Sequence, residues 1–162
     1  MKPTQDRDLT AVCGLYCGAC FHYRAGRPDG RHLLLDEARG GRPPGGYTCR
    51  GCRSDTLYVH PGCAECEIRA CADARGLPHC GACAAFPCER LLAFRDDGRA
   101  HHRDVVRNLR EVNELGVKTW LGLQAVRWRC AACAAPFSWY EARCHRCGAR
   151  LQSYGDRIPP AS

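Results

Sequence analysis

Hydrophobic residues recur with helical periodicity most clearly in residues 104–115. We expect a helix there, with Asp104 as its N-cap and Gly116 as its stop. Arg107 and Glu111 stand four residues apart on the opposite face, whose charges we expect to lie in solvent. Five apolar residues form the predicted buried face: Val105, Val106, Leu109, Val112 and Leu115.

Four shorter stretches also suit helices: residues 33–39, 67–75, 87–97 and 119–126. Gly76 is expected to stop the second of these, and Pro87 to open the third. In the last stretch the predicted buried stripe consists of Trp120, Leu123 and Val126. We expect these helices to pack the cysteine-rich parts of the chain together.

Apolar residues are too few to hold such short elements in place. Leu, Ile, Val and Phe make up about one residue in six of the 162, a fraction that indicates disorder unless another interaction orders the chain. Ordering each residue costs roughly 1–2 kcal/mol. One structural zinc site can contribute roughly 10–16 kcal/mol, so metals would decide whether the chain folds.

Fifteen cysteines supply the candidate ligands. The count is odd, and the polar start MKPTQDRDLTAV lacks the apolar core of a secretion signal, which argues against a disulfide framework. No apolar run reaches the roughly eighteen residues of a membrane span. We therefore expect a cytoplasmic, metal-binding protein without a membrane partner.

The stretch from Cys63 to Cys88 repeats one spacing, C-x2-C-x4-C, which is typical of a chain that folds around metal ions. A second formula, C-x2-C-x10-C-x2-C, occurs twice in the chain. It joins Cys49, Cys52, Cys63 and Cys66, and again the four cysteines Cys130, Cys133, Cys144 and Cys147. Two C-x2-C turns, here called knuckles, joined by a short hairpin are the spacing of a zinc ribbon.

The last knuckles carry the strongest signal. Phe137 and Trp139 alternate between them as on a strand, and Gly148 follows the second knuckle. We expect these aromatics to cover one face of a ribbon that has little other core. The whole chain is predicted as a small, metal-stapled, irregular α+β fold, with short helices around cysteine-rich knuckles and a C-terminal β zinc ribbon. Its expected domains are a cysteine-rich metal-binding domain over 1–98, a helical connector over 99–127, and the ribbon and tail over 128–162.

The run CGLYCGAC has the spacing C-x3-C-x2-C, which equals the cluster-binding signature of radical S-adenosylmethionine enzymes. The chain is too short for the (β/α) barrel that carries that chemistry, and no alternating strand–helix pattern follows. An iron–sulfur cluster in residues 13–88 nevertheless stays open as the alternative to zinc.

The motifs CGLYCGAC, CRGC, CAECEIRACA and HCGACAAFPCERL, in this order, make residues 13–92 resemble the cysteine-rich prokaryotic family called domain of unknown function 3795. The C-terminal ribbon with its preceding W-x-C resembles an extension seen with that domain, although Ala131 and Ala134 stand where Pro and Gly are usual. The resemblance implies a metal-ligand set of eleven cysteines: Cys13, Cys17, Cys20, Cys49, Cys52, Cys63, Cys66, Cys71, Cys80, Cys83 and Cys88.

Eleven cysteines are one ligand short of three four-ligand sites. His60 and His79 are the candidates for the twelfth ligand, because each lies close to a cysteine in the sequence. One possible grouping places Cys49, Cys52, Cys63 and Cys66 together, the pairs Cys17/Cys20 and Cys80/Cys83 together, and leaves Cys13, Cys71 and Cys88 for the third site. With the ribbon this makes about four zinc sites per chain.

The formal net charge of +7 is weak support for a nucleic-acid partner. Each zinc ion with four thiolate ligands contributes −2, so several sites cancel most of that excess. No HExxH motif or Ser/His/Asp arrangement indicates an enzyme. We therefore expect a zinc-binding structural or adaptor module for a protein or, with less support, a nucleic-acid partner. The alternatives are an iron–sulfur redox or electron-transfer protein and an enzyme with an open metal site.

Overall fold

The computed structural model describes residues 9–39, 49–54 and 59–155, and helices dominate these segments. This part of the chain contains seven α-helices: α1 (Phe21–Ala25), α2 (His32–Arg39), α3 (Pro61–Ala64), α4 (Glu67–Ala74), α5 (Glu89–Arg95), α6 (Val105–Leu115) and α7 (Val117–Arg127). Short 3-10 helices occur at Cys17–Ala19, Pro28–Gly30, Cys80–Ala82 and Ala100–Asp104. Five of these helices, α2 and α4 to α7, were predicted, although α5 begins at Glu89 and not at Pro87, whereas α1 and α3 were not predicted. None of these described helices is both long and apolar enough to cross a bilayer.

The predicted α+β fold with a C-terminal β zinc ribbon is wrong. Within the described residues the backbone forms no β-strand, only isolated antiparallel bridges at Thr10–Tyr16, Arg129–Pro136 and Arg143–Arg150. The last two bridges each close one cysteine knuckle. The chain between the knuckles does not form a hairpin, because Trp139 donates its N–H to Ala19 O and accepts from Tyr154 N–H.

Helix α6 lies against the main core. Val105 and Leu109 are fully buried there, among apolar side chains of the N-terminal segment and of α4 and α5. Gly14 has φ +92°, and a Cβ at this position would lie 2.7 Å from Leu109 Cγ, so only glycine allows the helix to approach this closely. The same contact is fixed by Asn108, whose Nδ2 donates to Gly14 O at 2.9 Å.

The ends of α6 differ in part from the prediction. Gly116 terminates the helix with φ +83°, as expected. Asp104 stands at the N-cap position, but its carboxylate does not cap the helix; it accepts from the Tyr154 hydroxyl and pairs with Arg107 at 3.1 Å. Leu115 was predicted to be buried but is 41 % exposed.

Helix α7 buries other residues than the predicted stripe. Trp120 is fully buried, yet Leu123 and Val126 are 53 % and 74 % exposed. Instead Leu121 accompanies Trp120 against Val112 of α6 in a small separate core. The helix is thus anchored by two adjacent residues near its start, and Val126 in its second half stays exposed.

A third core surrounds the C-terminal cysteines. It joins Trp128, Phe137, Trp139 and Tyr154 to the sulfur-bearing residues Cys130 and Cys144 and to Ala19 and Ala100. Phe137 and Trp139 are buried as predicted, but in this shared core and not on one face of a β ribbon. The N-terminal part therefore contributes directly to the packing around the last two knuckles.

Candidate metal centres

The C-terminal cysteines converge on one point. The Sγ atoms of Cys130, Cys133, Cys144 and Cys147 all lie within 4.8 Å of one another. Two of the separations are 3.6 Å, Cys130 to Cys147, and 3.5 Å, Cys133 to Cys144. A tetrahedral zinc ion with Zn–S bonds of about 2.3 Å requires sulfurs about 3.8 Å apart. The four thiols therefore fit such an ion with little adjustment.

Two matching turns place these sulfurs. In the first, Ala134 N–H donates to Cys130 O and Cys130 N–H donates to Ala135 O; in the second, Gly148 and Cys144 make the equivalent bonds to Cys144 O and Ala149 O. Both turns need a left-handed residue, with φ 61° at Ala134 and 75° at Gly148. Alanine at the first turn keeps the geometry although glycine is better suited to it.

Backbone donors prepare one of these sulfurs for ionisation. The N–H groups of Cys133 and Ala132 point at Cys130 Sγ and lower the pKa of that thiol to about 7. At Cys147 the N–H of Ala149 acts in the same sense, but burial and the three neighbouring sulfurs outweigh it and raise the pKa to about 12. A divalent cation bound between the sulfurs offsets the repulsion between the four negative thiolates. It thereby lowers the pKa of all four thiols at once.

The other eleven cysteines lie in residues 13–88, and among the described residues none of them joins a comparably tight group. The thiols that raise one another's pKa group them into three adjoining sets. Cys13 and Cys17 are buried, and burial followed by the neighbouring Cys52 raises the pKa of both thiols. Cys66 is a further neighbour of Cys13, and Cys52 N–H lies 3.5 Å from Cys17 Sγ. We group Cys13, Cys17, Cys52 and Cys66 as a first set, which adjoins Cys20 because that thiol also raises the pKa of Cys17.

A second set surrounds the 3-10 helix Cys80–Ala82. Burial raises the pKa of the Cys80 thiol to about 11, and its strongest thiol neighbours are then Cys88, Cys71 and Cys83. Arg75 Nη1 lies 3.7 Å from Cys83 Sγ, so a cation already faces this sulfur. The two C-x2-C-x4-C repeats therefore do not form separate groups. All three cysteines of the second repeat lie with Cys71, the last cysteine of the first repeat.

The remaining thiols, Cys20, Cys49 and Cys63, form the third set. Burial raises the pKa of Cys20 to about 11, with Cys49 as its thiol neighbour. Burial also raises the pKa of Cys63 to about 12, followed by the neighbouring thiols Cys20, Cys52, Cys49 and Cys66, so this set adjoins the first one.

The two predicted histidine ligands lie in different surroundings. His60 caps α3, where its Nδ1 accepts from Gly62 N–H at 3.2 Å, and its carbonyl accepts from Cys63 N–H at 2.8 Å. His79 is buried, and burial together with Arg53 lowers its pKa. Its Nδ1 finds no hydrogen-bond partner among the described residues.

A comparison with family models matches residues 9–93 to the family described as "Protein of unknown function (DUF3795)". The chain belongs to the DUF3795 family. All eleven cysteines of the three sets fall inside the segment that the DUF3795 model matches, and the four-sulfur group of residues 130–147 lies outside it. No curated protein matches the chain, and no solved structure does. The family description assigns no activity, so function must be argued from the sites.

Sequence reasoning missed one group. His32, Glu141 and His145 bring one possible ligand atom each within 4.8 Å of the other two. His32 begins α2 and is 109 residues away from Glu141. The sequence offered one indication of this group, the position of His145 between Cys144 and Cys147. That position did not identify His32 or Glu141 as its neighbours.

Proposed function

We propose that this DUF3795 protein is a zinc-binding structural and adaptor module. The observation that carries the proposal is the convergence of four sulfurs within 4.8 Å in residues 130–147. Four thiolates without an adjacent open position are typical of a structural zinc site. Zinc is the best match, because tetrahedral all-sulfur surroundings suit Zn²⁺ and a single zinc ion needs no assembly machinery.

The three cysteine sets of the family segment support further sites of the same kind. We place one metal among Cys13, Cys17, Cys52 and Cys66, and a second among Cys71, Cys80, Cys83 and Cys88. This grouping replaces the one proposed from spacing, because Cys17 has Cys52 as its leading thiol neighbour and Cys80 has Cys88.

The third set has three thiols and needs one more ligand. We propose His60, since its main chain already bonds to Cys63 in the same turn. The Gly62 N–H bond occupies His60 Nδ1, so Nε2 is the proposed ligand atom. A histidine in this place completes twelve ligands for three sites.

The adaptor role is supported by the outer face of α7. Leu123 and Val126 expose apolar side chains on this helix although the chain has few apolar residues to spare. We propose this face as the contact surface for a protein partner. Replacing Val126 with Asp should abolish partner capture by the full chain, and replacing the exposed Lys118, which lies on another side of α7, with Asp should not.

An iron–sulfur redox protein is the second candidate for the family segment. The observation that favours it is the proximity of the first two sets, because Cys80 is also a charged neighbour of the buried Cys13. Closely spaced, buried thiolates suit a multinuclear cluster as well as separate ions.

Elemental analysis with a visible spectrum tests both candidates on full-length protein purified without oxygen. Zinc sites predict about four zinc ions per chain and no colour. The Cys144→Ser variant should lose one of them, and the Ala132→Ser variant, altered within a knuckle but not at a ligand, should lose none. Iron with acid-labile sulfide in the wild-type protein would establish the redox candidate, and protein that folds free of metal would contradict both.

A further inference from the structure

The group of His32, Glu141 and His145 lies outside every cysteine set. His32 Nε2 lies 2.5 Å from Glu141 Oε1, and the imidazole rings of His32 and His145 stack at 3.7 Å with an interplanar angle of 11°. An ion pair needs one histidine and one carboxylate. The second imidazole brings a ring nitrogen within 4.8 Å of the same ligand atoms and is not explained by that pair. Because an imidazole lone pair lies in the plane of its ring, the two stacked rings must turn apart for both nitrogens to bind one ion.

The carboxylate of this group is fixed before any ligand arrives. Glu141 Oε2 accepts from Ser138 N–H at 2.6 Å, and this orients Oε1 toward the histidines. Ser138 is buried and is itself anchored, because its Oγ donates to Ala19 O at 3.0 Å. A ligand held by a hydrogen bond to its second oxygen is the usual arrangement for carboxylates that bind metals.

The two imidazoles come from different parts of the chain. His32 starts α2 in the family segment, and its side chain is 26 % exposed. His145 belongs to the second cysteine knuckle and is exposed. Glu141 is 14 % exposed at the side chain, so the group lies half-buried at the mouth of a cleft of about 410 Å³.

The cleft leaves room beside the three side chains. Its walls include Phe21, Leu33 and Tyr140, which are apolar or aromatic, and Arg143, whose guanidinium donates to Gly148 O. Three protein ligands in a half-open cleft leave at least one coordination position for water or a small anion. Two imidazoles and one carboxylate are a ligand set for a first-row divalent transition metal, and all-thiolate sites are closed by comparison.

We propose that His32, Glu141 and His145 bind one divalent transition-metal ion, in a site separate from the cysteine centres and open to an exogenous ligand. The ion takes the place of the hydrogen bond between His32 and Glu141, and imidazoles bind metals in the neutral form. Because its ligands come from α2 and from the knuckle, it joins the family segment to the C-terminal cysteine centre. This goes beyond the structural module proposed above, which needs no open metal position.

Cobalt titration of the full-length protein tests the site, since Co²⁺ bound to thiolates and Co²⁺ bound to nitrogen and oxygen absorb differently. Protein with its cysteine sites filled by zinc should bind one further Co²⁺ with a weak d–d spectrum and no sulfur charge-transfer band. The Glu141→Gln and His32→Ala variants should weaken this binding at least tenfold. The controls are Glu114→Gln on the exposed face of α6 and Arg146→Ala beside His145.

Each result has one meaning. Loss of the extra Co²⁺ in both variants, with zinc at the cysteines and the control variants unchanged, supports the site. Equal binding by wild type and variants overturns it, even when the cysteine centres are loaded as proposed. The His145→Ala variant can disturb the knuckle itself. If it also loses the zinc of residues 130–147, His32→Ala decides, because it changes α2 alone.

Discussion

Ala134 is the non-glycine residue with a left-handed backbone in the described part of the chain, at φ 61°. The equivalent position of the second knuckle is Gly148, which adopts φ 75° without cost. We expect Ala134→Gly to stabilise the metal-loaded protein by about 1 kcal/mol, because the left-handed conformation is unfavourable for any residue with a Cβ. Urea unfolding followed by fluorescence measures the change.

The matched control is Ala132→Gly, in the same exposed turn but without a positive φ. It should give no gain. A gain of equal size in both variants would mean that the turn is not strained at Ala134.

His101 makes the C-terminal core sensitive to acid. Its ring stacks on Trp139 at 4.2 Å, and its Nδ1 lies 2.6 Å from the Tyr140 hydroxyl. Burial, with His102 and Arg99 nearby, lowers the pKa of His101 to about 3, whereas an unfolded histidine has a pKa near 6.5. Below pH 6.5 the unfolded chain therefore takes up a proton that the folded chain does not, and stability falls toward pH 3.

We expect the free energy of unfolding to fall between pH 7.5 and 5.5, with at most about 1.4 kcal/mol per pH unit due to this one histidine. The His101→Gln variant should show a shallower slope, because glutamine does not titrate. The difference between the two slopes isolates His101 from thiols and other histidines that respond to the same change. Parallel slopes would show that His101 is protonated in the folded protein.

Helix α7 shows where sequence periodicity misleads. Trp120→Ala should cost about 3–5 kcal/mol, since it removes a fully buried indole that also donates to Glu111 Oε2 at 3.2 Å. Leu123→Ala, three residues further along the helix, should cost less than about 0.5 kcal/mol because this side chain is 53 % exposed. Thermal unfolding of both variants measures the contrast. Similar losses would restore the predicted stripe of Trp120, Leu123 and Val126.

Sequence patterns were most reliable for the positions of helices and for the glycines that end them. The apolar face of α6 and the glycines after α4 and α6 were predicted because periodicity and backbone conformation are local properties. The β ribbon was wrong because the backbone partner of Trp139 is Ala19, at a distance in sequence that no spacing of cysteines encodes.

The candidate sites follow the same rule. The last four cysteines were predicted as a group because each pair occupies one turn and only one partner pair lies nearby in sequence. Spacing suggested Cys17 with Cys80, whereas Cys52 is the leading thiol neighbour of Cys17 in the folded chain. Which cysteines become neighbours depends on how separate segments of the chain pack. The contact between His32 and Glu141 depends on the same packing.

Across the whole molecule, the metals and the aromatic core report on each other. Two of the three tryptophans, Trp128 and Trp139, share a core with Cys130 and Cys144. The third, Trp120, belongs to the separate core between α6 and α7. The Cys144→Ser variant should therefore shift tryptophan emission to longer wavelength and keep most of the helical circular dichroism. Chelation of all metals should remove the helical signal as well, because Cys13 and Cys17 lie within the main core.

Ala132→Ser again serves as the control and should keep the emission of the wild-type protein. An unchanged emission spectrum after loss of the C-terminal metal would show that burial of Trp128 and Trp139 does not depend on that metal. Retained helix content after complete chelation would show that the main core needs no metal.

Helix α6 lies outside residues 9–93, yet its Val105 and Leu109 are packed over Cys13 and Cys17. The helix therefore helps to bury the two buried thiols of the family segment, and we expect it to slow their reaction with oxygen and alkylating reagents. The rate at which the family segment oxidises in air should thus depend on a helix that the DUF3795 match does not include.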